Sequence, residues 1–334
     1  MPKASIVLCL AFVAIALAAP LALAQNTPPE TTNADEPDQS SLIVGALQVG
    51  SASTLEIGRV DISVGADGVA YSYFLKNTGP QALTLAASVS LPELQASADR
   101  SETWKLAGND PENPIGLAIT AANSPVTTQA DVHAYALGID RRDEIKAAQL
   151  PLIPFGAEID KALGGLSANA AERLAALGII SVRDPEHPAA PLTADWTLDV
   201  VRSWSVTLPP GKTTPVVIKF TPVVAKYTLE KGDEDDLDDL KDDACLTSQV
   251  LNTLKSRLRI NGSWKITDLT LAADAPAHWI DSPNPTLSVR KPVPQAIVTF
   301  CGIDEKTASQ PAVLGTAPDD SDEIRIVIFE PAGK

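Results

Sequence analysis

The chain has 334 residues, of which 45% are hydrophobic and 20% are charged, and its formal net charge is −16. The strong negative charge excludes the basic surface that nucleic-acid binding requires, and it disfavours binding to an anionic membrane. The apolar fraction is sufficient for one large hydrophobic core or two smaller ones. The 27 prolines, many of them between short apolar runs, favour strands and turns over long helices.

The first 24 residues have the three parts of a secretory signal peptide. Lys3 makes the head positive, an apolar run extends from Ile6 to Ala19, and an A-x-A sequence ends at Ala24. The run is shorter than the roughly 20 residues that a membrane-spanning helix needs. We therefore expect cleavage between Ala24 and Gln25, export from a bacterial cytoplasm and no transmembrane span in the mature chain. An uncleaved anchor is the alternative.

Residues 25–41 are rich in Thr, Pro, Asp and Glu, and almost nothing among them is apolar. Such a segment cannot bury enough surface to offset the entropy of ordering, so it is expected to be a flexible tether. The β-rich domain is expected to occupy residues 42–334.

The chain has three cysteines, and signal cleavage removes Cys9. The remaining pair, Cys245 and Cys301, favours one disulfide, because an even number of cysteines in an exported protein usually pairs. Two separate buried thiols are the alternative.

Three strands are predicted in the first part of the domain. Leu55–Val64 alternates between apolar and polar residues with a phase shift at Gly58, which predicts a β-bulge. Val69–Leu75 and Leu83–Leu91 follow after short turns. Because turn residues separate the three strands, the pattern predicts an antiparallel meander.

A small helical insertion is predicted at about 157–178. Ser167 is a suitable N-cap, and Gly178 follows the last apolar position, where helices commonly end on glycine. The clearest strand runs from Trp196 to Leu208, and Val216–Phe220 is expected to return beside it after a proline turn.

The segment at about 230–259 begins with an acidic run and continues with apolar residues at helical spacing. It predicts one longer amphipathic helix, and the chain could divide into two subdomains near 225–230. Further strands are predicted around 264–271, 286–289, 296–301 and 324–329. The fold class is therefore mainly β, an antiparallel β-sandwich with a small helical insertion and one longer helix.

No pattern of catalytic residues stands out. The sequence lacks the Gly-x-Ser-x-Gly turn of hydrolases and a glycine-rich phosphate loop, and its histidines are scattered, so no catalytic residue and no cofactor are predicted. Asp233, Asp235 and Asp236 offer the oxygen ligands that calcium prefers. The ligand order of an EF-hand is missing, so a solvated helix start is the preferred interpretation of this acidic run.

Four aromatic side chains are candidates for a contact surface. Trp104 and Trp279 lie in polar, proline-containing segments and could be exposed, for example to stack against a sugar. Tyr71 and Tyr73 lie on a predicted strand, where core packing is the alternative.

Several sequence segments follow one another in a defined order: Glu56-Ile57 through Tyr71–Thr78 leading to Ser90–Pro92, then Trp204–Gly211, then Cys245 at a helix and Val298–Cys301 near the end. This order resembles a family of exported bacterial proteins known as domain of unknown function 4424. The resemblance covers nearly the whole mature chain. It implies a location in the periplasm or envelope of a Gram-negative bacterium and supports the disulfide. It implies no activity and supplies no functional residues.

The leading functional hypothesis is a non-enzymatic periplasmic binding or protein-interaction module, whose partner is an envelope protein or a glycan. One alternative is a hydrolase-type enzyme with a site assembled from distant residues. A second alternative is a structural envelope protein that associates with itself.

Overall fold

The computed structural model describes residues 42–96, 104–181, 191–260, 262–273, 284–318 and 323–332. The expected signal peptide and tether lie outside these residues. Most elements in the described stretches are strands, as the sequence predicts. The strands are β1 (Gln48–Val49), β2 (Leu55–Gly65), β3 (Gly68–Asn77), β4 (Leu83–Ser90), β5 (Leu94–Gln95), β6 (Ala118–Ala121), β7 (Ser124–Pro125), β8 (Gln129–Ala136), β9 (Ile139–Asp140), β10 (Thr197–Leu208), β11 (Thr213–Phe220), β12 (Ala225–Leu229), β13 (Ser263–Ala272), β14 (Thr286–Arg290), β15 (Ile297–Thr299), β16 (Ala312–Thr316) and β17 (Glu323–Ala332).

Five α-helices are described, together with a short 3-10 helix at Glu305–Thr307. The helices are α1 (Arg142–Ala147), α2 (Ala157–Gly164), α3 (Ala168–Ala176), α4 (Asp236–Asp243) and α5 (Ser248–Arg259). No helix among the described residues has both the length and the apolar character that spanning a membrane would require.

Two sheets form a β-sandwich. The six-stranded sheet has the order β1-β4-β10-β8-β9, with β5 also paired to β10, and the seven-stranded sheet has the order β16-β14-β2-β3-β11-β6-β7. Buried side chains alternate along the long strands of both sheets and belong to one hydrophobic cluster. The pairs are antiparallel except for β14 with β2, which is parallel. The predicted bulge at Gly58 is confirmed, because the register between β2 and β3 shifts there.

A four-stranded sheet, β12-β13-β17-β15, carries a second hydrophobic cluster. Ile266 of β13 and Phe329 of β17 pack in this cluster with Leu237 of α4 and Leu254 of α5. Other residues of the same two strands, such as Leu269, belong to the cluster of the sandwich. This sheet is therefore buried on both faces, which explains the nearly continuous apolar run in β17.

The predicted three-stranded meander is wrong. β2 and β3 form the expected hairpin, but β4 leaves it and pairs with β10 in the six-stranded sheet. In the same way, β11 does not pair with β10 and joins β3 in the seven-stranded sheet. Alternation along a strand reports one buried face, and it does not reveal which of two packed sheets contains the strand.

The helical predictions are correct in part. The helix that begins after Ser167 is present as α3, and the Ser167 hydroxyl accepts a hydrogen bond from the backbone N–H of Ala170 over 3.3 Å. The long amphipathic helix is instead two helices, α4 and α5. The chain turns between them at Cys245, which has a positive φ of 50°, and the Thr247 hydroxyl caps the start of α5.

The predicted disulfide is confirmed, because the sulfur atoms of Cys245 and Cys301 are bonded to each other. It joins the turn between α4 and α5 to the chain just after β15. Beside it, the Thr299 hydroxyl donates a hydrogen bond of 2.7 Å to the backbone carbonyl of Ala244. A buried hydrogen bond therefore links the same two segments as the disulfide.

Candidate functional site

A cleft of about 800 Å³ lies between two segments that connect strands. One segment runs from Trp104 to Pro111, and the other runs from Lys146 near the end of α1 to Ile159 in α2. The second segment belongs to the helical insertion, which begins earlier than predicted because it includes α1, starting at Arg142.

The backbone of the second segment has an unusual conformation. Gln149 has a positive φ of 57°, and the N–H of Leu150 donates a hydrogen bond of 3.1 Å to the carbonyl of Ile145, which ends α1. Gly156 has φ 98° and ψ 170°, a combination that is essentially restricted to glycine, and α2 begins directly after it. These two residues set the direction of the chain along the edge of the cleft.

Apolar side chains form the deep wall of the cleft. The rings of Trp104 and Phe155 meet edge to face, with 5.6 Å between their centroids. Behind this wall, the indole N–H of Trp196 donates a hydrogen bond of 2.8 Å to the carbonyl of Leu152. Because Trp196 is fully buried in the core, this bond fixes the lining segment to the sandwich.

The rim of the cleft is polar. The side-chain amide of Asn109 donates a hydrogen bond of 2.9 Å to the carboxylate of Glu158, which links the two lining segments. Lys146 is exposed on the rim and has no carboxylate partner among the described residues, and within the same residues Glu158 has no cationic partner. The cleft thus combines an apolar wall with one accessible positive charge and one accessible negative charge.

A histidine cluster, formed by His133 and its contacts Asp131, Tyr135 and Asp140, precedes α1. His133 Nδ1 lies 2.8 Å from Asp140, His133 Nε2 lies 3.2 Å from Asp131, and the His133 ring stacks on Tyr135. Ionised carboxylates only accept hydrogen bonds, so the two contacts favour the protonated imidazolium, in which both ring nitrogens can donate.

The pKa values agree with this assignment. The hydrogen bond to Asp140 raises the pKa of His133 above its usual value, with a further contribution from Asp131. Partial burial opposes ionisation of Asp140, but hydrogen bonds from His133 and from the N–H groups of Arg142 and Ala134 lower its pKa to about 2. Through its bond to the Arg142 N–H, Asp140 positions the start of α1 and so the wall of the cleft. The sequence did not identify this cluster, because β8 and β9 were not predicted.

The four predicted contact residues have different environments. Tyr71 and Tyr73 are buried, so they belong to the core and not to an exposed surface, which corrects their assignment. The Tyr71 hydroxyl donates to the carbonyl of Ala272, and the Tyr73 hydroxyl accepts from the N–H of Leu47. Burial raises the pKa of both, that of Tyr73 to about 12. Trp104 lines the cleft but is buried against Phe155, so the prediction that it is exposed is wrong. Trp279 lies outside the described residues.

The acidic residues that were considered for calcium lie just before and at the start of α4. The carboxylate of Asp233 accepts a hydrogen bond of 2.7 Å from the N–H of Glu230, and Asp235 is at the N-cap of α4. Burial raises the pKa of Asp236, and the negative charges of Asp233, Asp239 and Asp235 raise it further. In the part of the chain that the structure describes, no three His, Cys, Asp or Glu side chains are grouped so that they could hold a metal ion.

Three comparisons relate the chain to known proteins. A search of curated proteins found no match. A solved structure from Legionella pneumophila, described as that of a "putative nutrient binding protein", is 10% identical, with a TM-score of 0.36. The alignment covers 87% of this chain and 72% of the other, and a similarity of this size carries no functional argument. The family model described as domain of unknown function DUF4424 matches residues 37–319, and the chain therefore belongs to the DUF4424 family.

Proposed function

We propose that this protein is an exported, non-enzymatic binding module of the bacterial envelope, and that the cleft beside α1 and α2 is its ligand site. The observation that carries the proposal is the cleft itself. Its volume of about 800 Å³ is within the range of small-molecule sites, which are mostly apolar and contain a few polar groups that orient the ligand. Its backbone is anchored to the core through Trp196, so the site is held in shape before a ligand arrives.

Two features support export. The Cys245–Cys301 disulfide is typical of proteins that function in an oxidising compartment outside the cytoplasm. The signal-peptide pattern of the first 24 residues is the second feature. We expect protein isolated from a periplasmic extract to begin at Gln25, and N-terminal sequencing would test this.

The ligand site can be tested with 8-anilinonaphthalene-1-sulfonate, a fluorescent anion with an apolar ring system. The apolar wall should take up its rings and Lys146 should attract its sulfonate, so Lys146→Glu should weaken binding about tenfold, as expected for loss of a charge-assisted contact. Lys161→Glu is the matched control, because Lys161 is exposed on α2 but does not line the cleft. Equal effects of the two substitutions would contradict the proposal.

A further inference from the structure

We infer that the ligand of this cleft is a short peptide with free termini and at least one apolar side chain. The inference rests on the proposed function and specifies the chemical class that the same site would bind. It follows from the charges of the rim, the burial of the aromatic wall and the size of the cleft.

The rim offers one charge of each sign. The Lys146 ammonium has no carboxylate partner among the described residues, and Glu158 uses its carboxylate only for the neutral amide of Asn109 in the same part of the chain. A ligand with a single charge would satisfy one of these groups and leave the other without a partner. A peptide with free termini carries both charges, so its carboxylate can pair with Lys146 and its ammonium with Glu158.

The rim also has neutral polar groups that suit a peptide backbone. Asn109 and Gln149 are among the residues that line the cleft, and a side-chain amide can both donate and accept hydrogen bonds. The peptide unit has the same two capacities, one N–H donor and one C=O acceptor.

The wall is apolar but does not present an aromatic face. The side chains of Trp104 and Phe155 are buried against each other, and each residue is only 9% exposed. A sugar ring binds by stacking on an open aromatic face, and that face is not available here. Branched aliphatic side chains of a ligand can instead pack against Leu106, Ile153 and Phe155 where these residues line the cleft.

The size of the cleft is consistent with a peptide rather than a single amino acid. About 800 Å³ lies near the upper end of the range for small-molecule sites. A free amino acid would occupy only a small part of this space.

The test is calorimetric titration with trileucine in three forms: free, N-acetylated and C-amidated. For the unsubstituted protein, each modification should weaken binding about tenfold, because each removes one charge-assisted pair. In Lys146→Met, amidation should have no further effect while acetylation still weakens binding. In Glu158→Gln the pattern should be reversed, and Lys161→Met should behave as the unsubstituted protein.

Two results would overturn the inference. The first is equal binding of the three forms to the unsubstituted protein, which would show that the termini are not recognised. The second is displacement of 8-anilinonaphthalene-1-sulfonate by neutral maltotetraose but not by trileucine, which would identify a sugar site. In both cases the proposed function would stand if the fluorescent anion still binds and Lys146→Glu weakens that binding. If the anion does not bind in a way that depends on Lys146, both proposals fail.

Discussion

The side-chain amide of Asn77 donates a hydrogen bond of 3.0 Å to the backbone carbonyl of Leu208. This bond links the two places where the chain passes from one sheet of the sandwich to the other, after β3 and after β10. Asn77 is the last residue of β3, before the chain enters the six-stranded sheet. Leu208 is the last residue of β10, before the chain returns to the seven-stranded sheet. The same amide donates to the carbonyl of Gln81, and the Asn77 side-chain oxygen accepts from Gly79.

Asn77→Ala should strongly destabilise the fold. Asn77 is fully buried, and its side chain makes three hydrogen bonds, with Leu208, Gln81 and Gly79, all of which alanine removes. We expect the free energy of unfolding to fall by about 3 kcal/mol, at about 1 kcal/mol for each lost bond. Urea denaturation measures this. Asn113→Ala is the control, because Asn113 makes similar bonds to Leu117 within one partly exposed loop. A loss there as large as at Asn77 would contradict the explanation.

The histidine cluster should make stability depend on pH. The pKa of His133 is raised, so its contribution is complete below the ordinary value of 6.5 and is lost as pH rises through the folded value. The pKa of Asp140 is lowered to about 2, so its contribution is present above 3.8 and is lost as pH falls towards 2. The melting temperature of the unsubstituted protein should therefore exceed that of His133→Gln most clearly between these two ordinary pKa values.

The control for this prediction is Asp131→Asn. The carboxylate of Asp131 is mostly exposed and more distant from the ring than that of Asp140, so its loss should have a smaller effect in the same direction within the same pH window. A difference between His133→Gln and the unsubstituted protein that does not change with pH would show that the ring contributes only by packing.

Gly156→Ala should distort the rim of the cleft. No atom would collide with the added methyl group, so the cost comes from the backbone conformation alone. A residue with a β-carbon is strained there by about 1–3 kcal/mol. We expect lower stability in urea and weaker binding of 8-anilinonaphthalene-1-sulfonate.

Gly164→Ala is the matched control, because Gly164 lies within α2 and a β-carbon would also meet open space there. Alanine favours the helix, so stability should rise by about 0.5–1 kcal/mol. Unchanged binding of the fluorescent anion is expected. If Gly156→Ala had the same effects as Gly164→Ala, the conformation of the rim would not require glycine.

The double substitution Cys245→Ser with Cys301→Ser should destabilise the fold. The two cysteines are 56 residues apart, and the chain-entropy model gives roughly 4 kcal/mol for a loop of this length. Thermal unfolding with and without dithiothreitol measures the effect: the unsubstituted protein should melt at a lower temperature when reduced, and the variant should not respond. A response of the variant to the reductant would mean that the disulfide is not its target.

The sequence predicted those elements whose signal is local. The alternation from Trp196 to Leu208 and the capping serine at Ser167 each lie within one element, and both predictions were confirmed. The phase shift at Gly58 was also correct, because a bulge changes the side-chain alternation of its own strand.

Predictions failed where distant residues decide the outcome. β8 contains alanine and polar residues at many positions, so its alternation at Val132, Ala134 and Ala136 is weak, and pairing with β10 determines its conformation. The apolar spacing continues at helical intervals through Cys245, where the chain turns with a positive φ, so the pattern does not reveal the break between α4 and α5. The sequence did name Trp104 as a candidate site residue, because of its polar surroundings. It could not predict the cleft, because the two segments that line it are about 40 residues apart and no local pattern shows that they meet.

The most direct test of the central claim is two-dimensional NMR of the indole N–H groups during titration with 8-anilinonaphthalene-1-sulfonate. Trp104→Phe identifies the Trp104 signal, and Trp264, whose N–H donates to Leu254 in the second cluster, is the distant reference. We expect the Trp104 signal to shift in a saturable way while the Trp264 signal stays in place. A titration that leaves Trp104 unchanged, or that shifts both signals together, would contradict the assignment of the cleft as the ligand site.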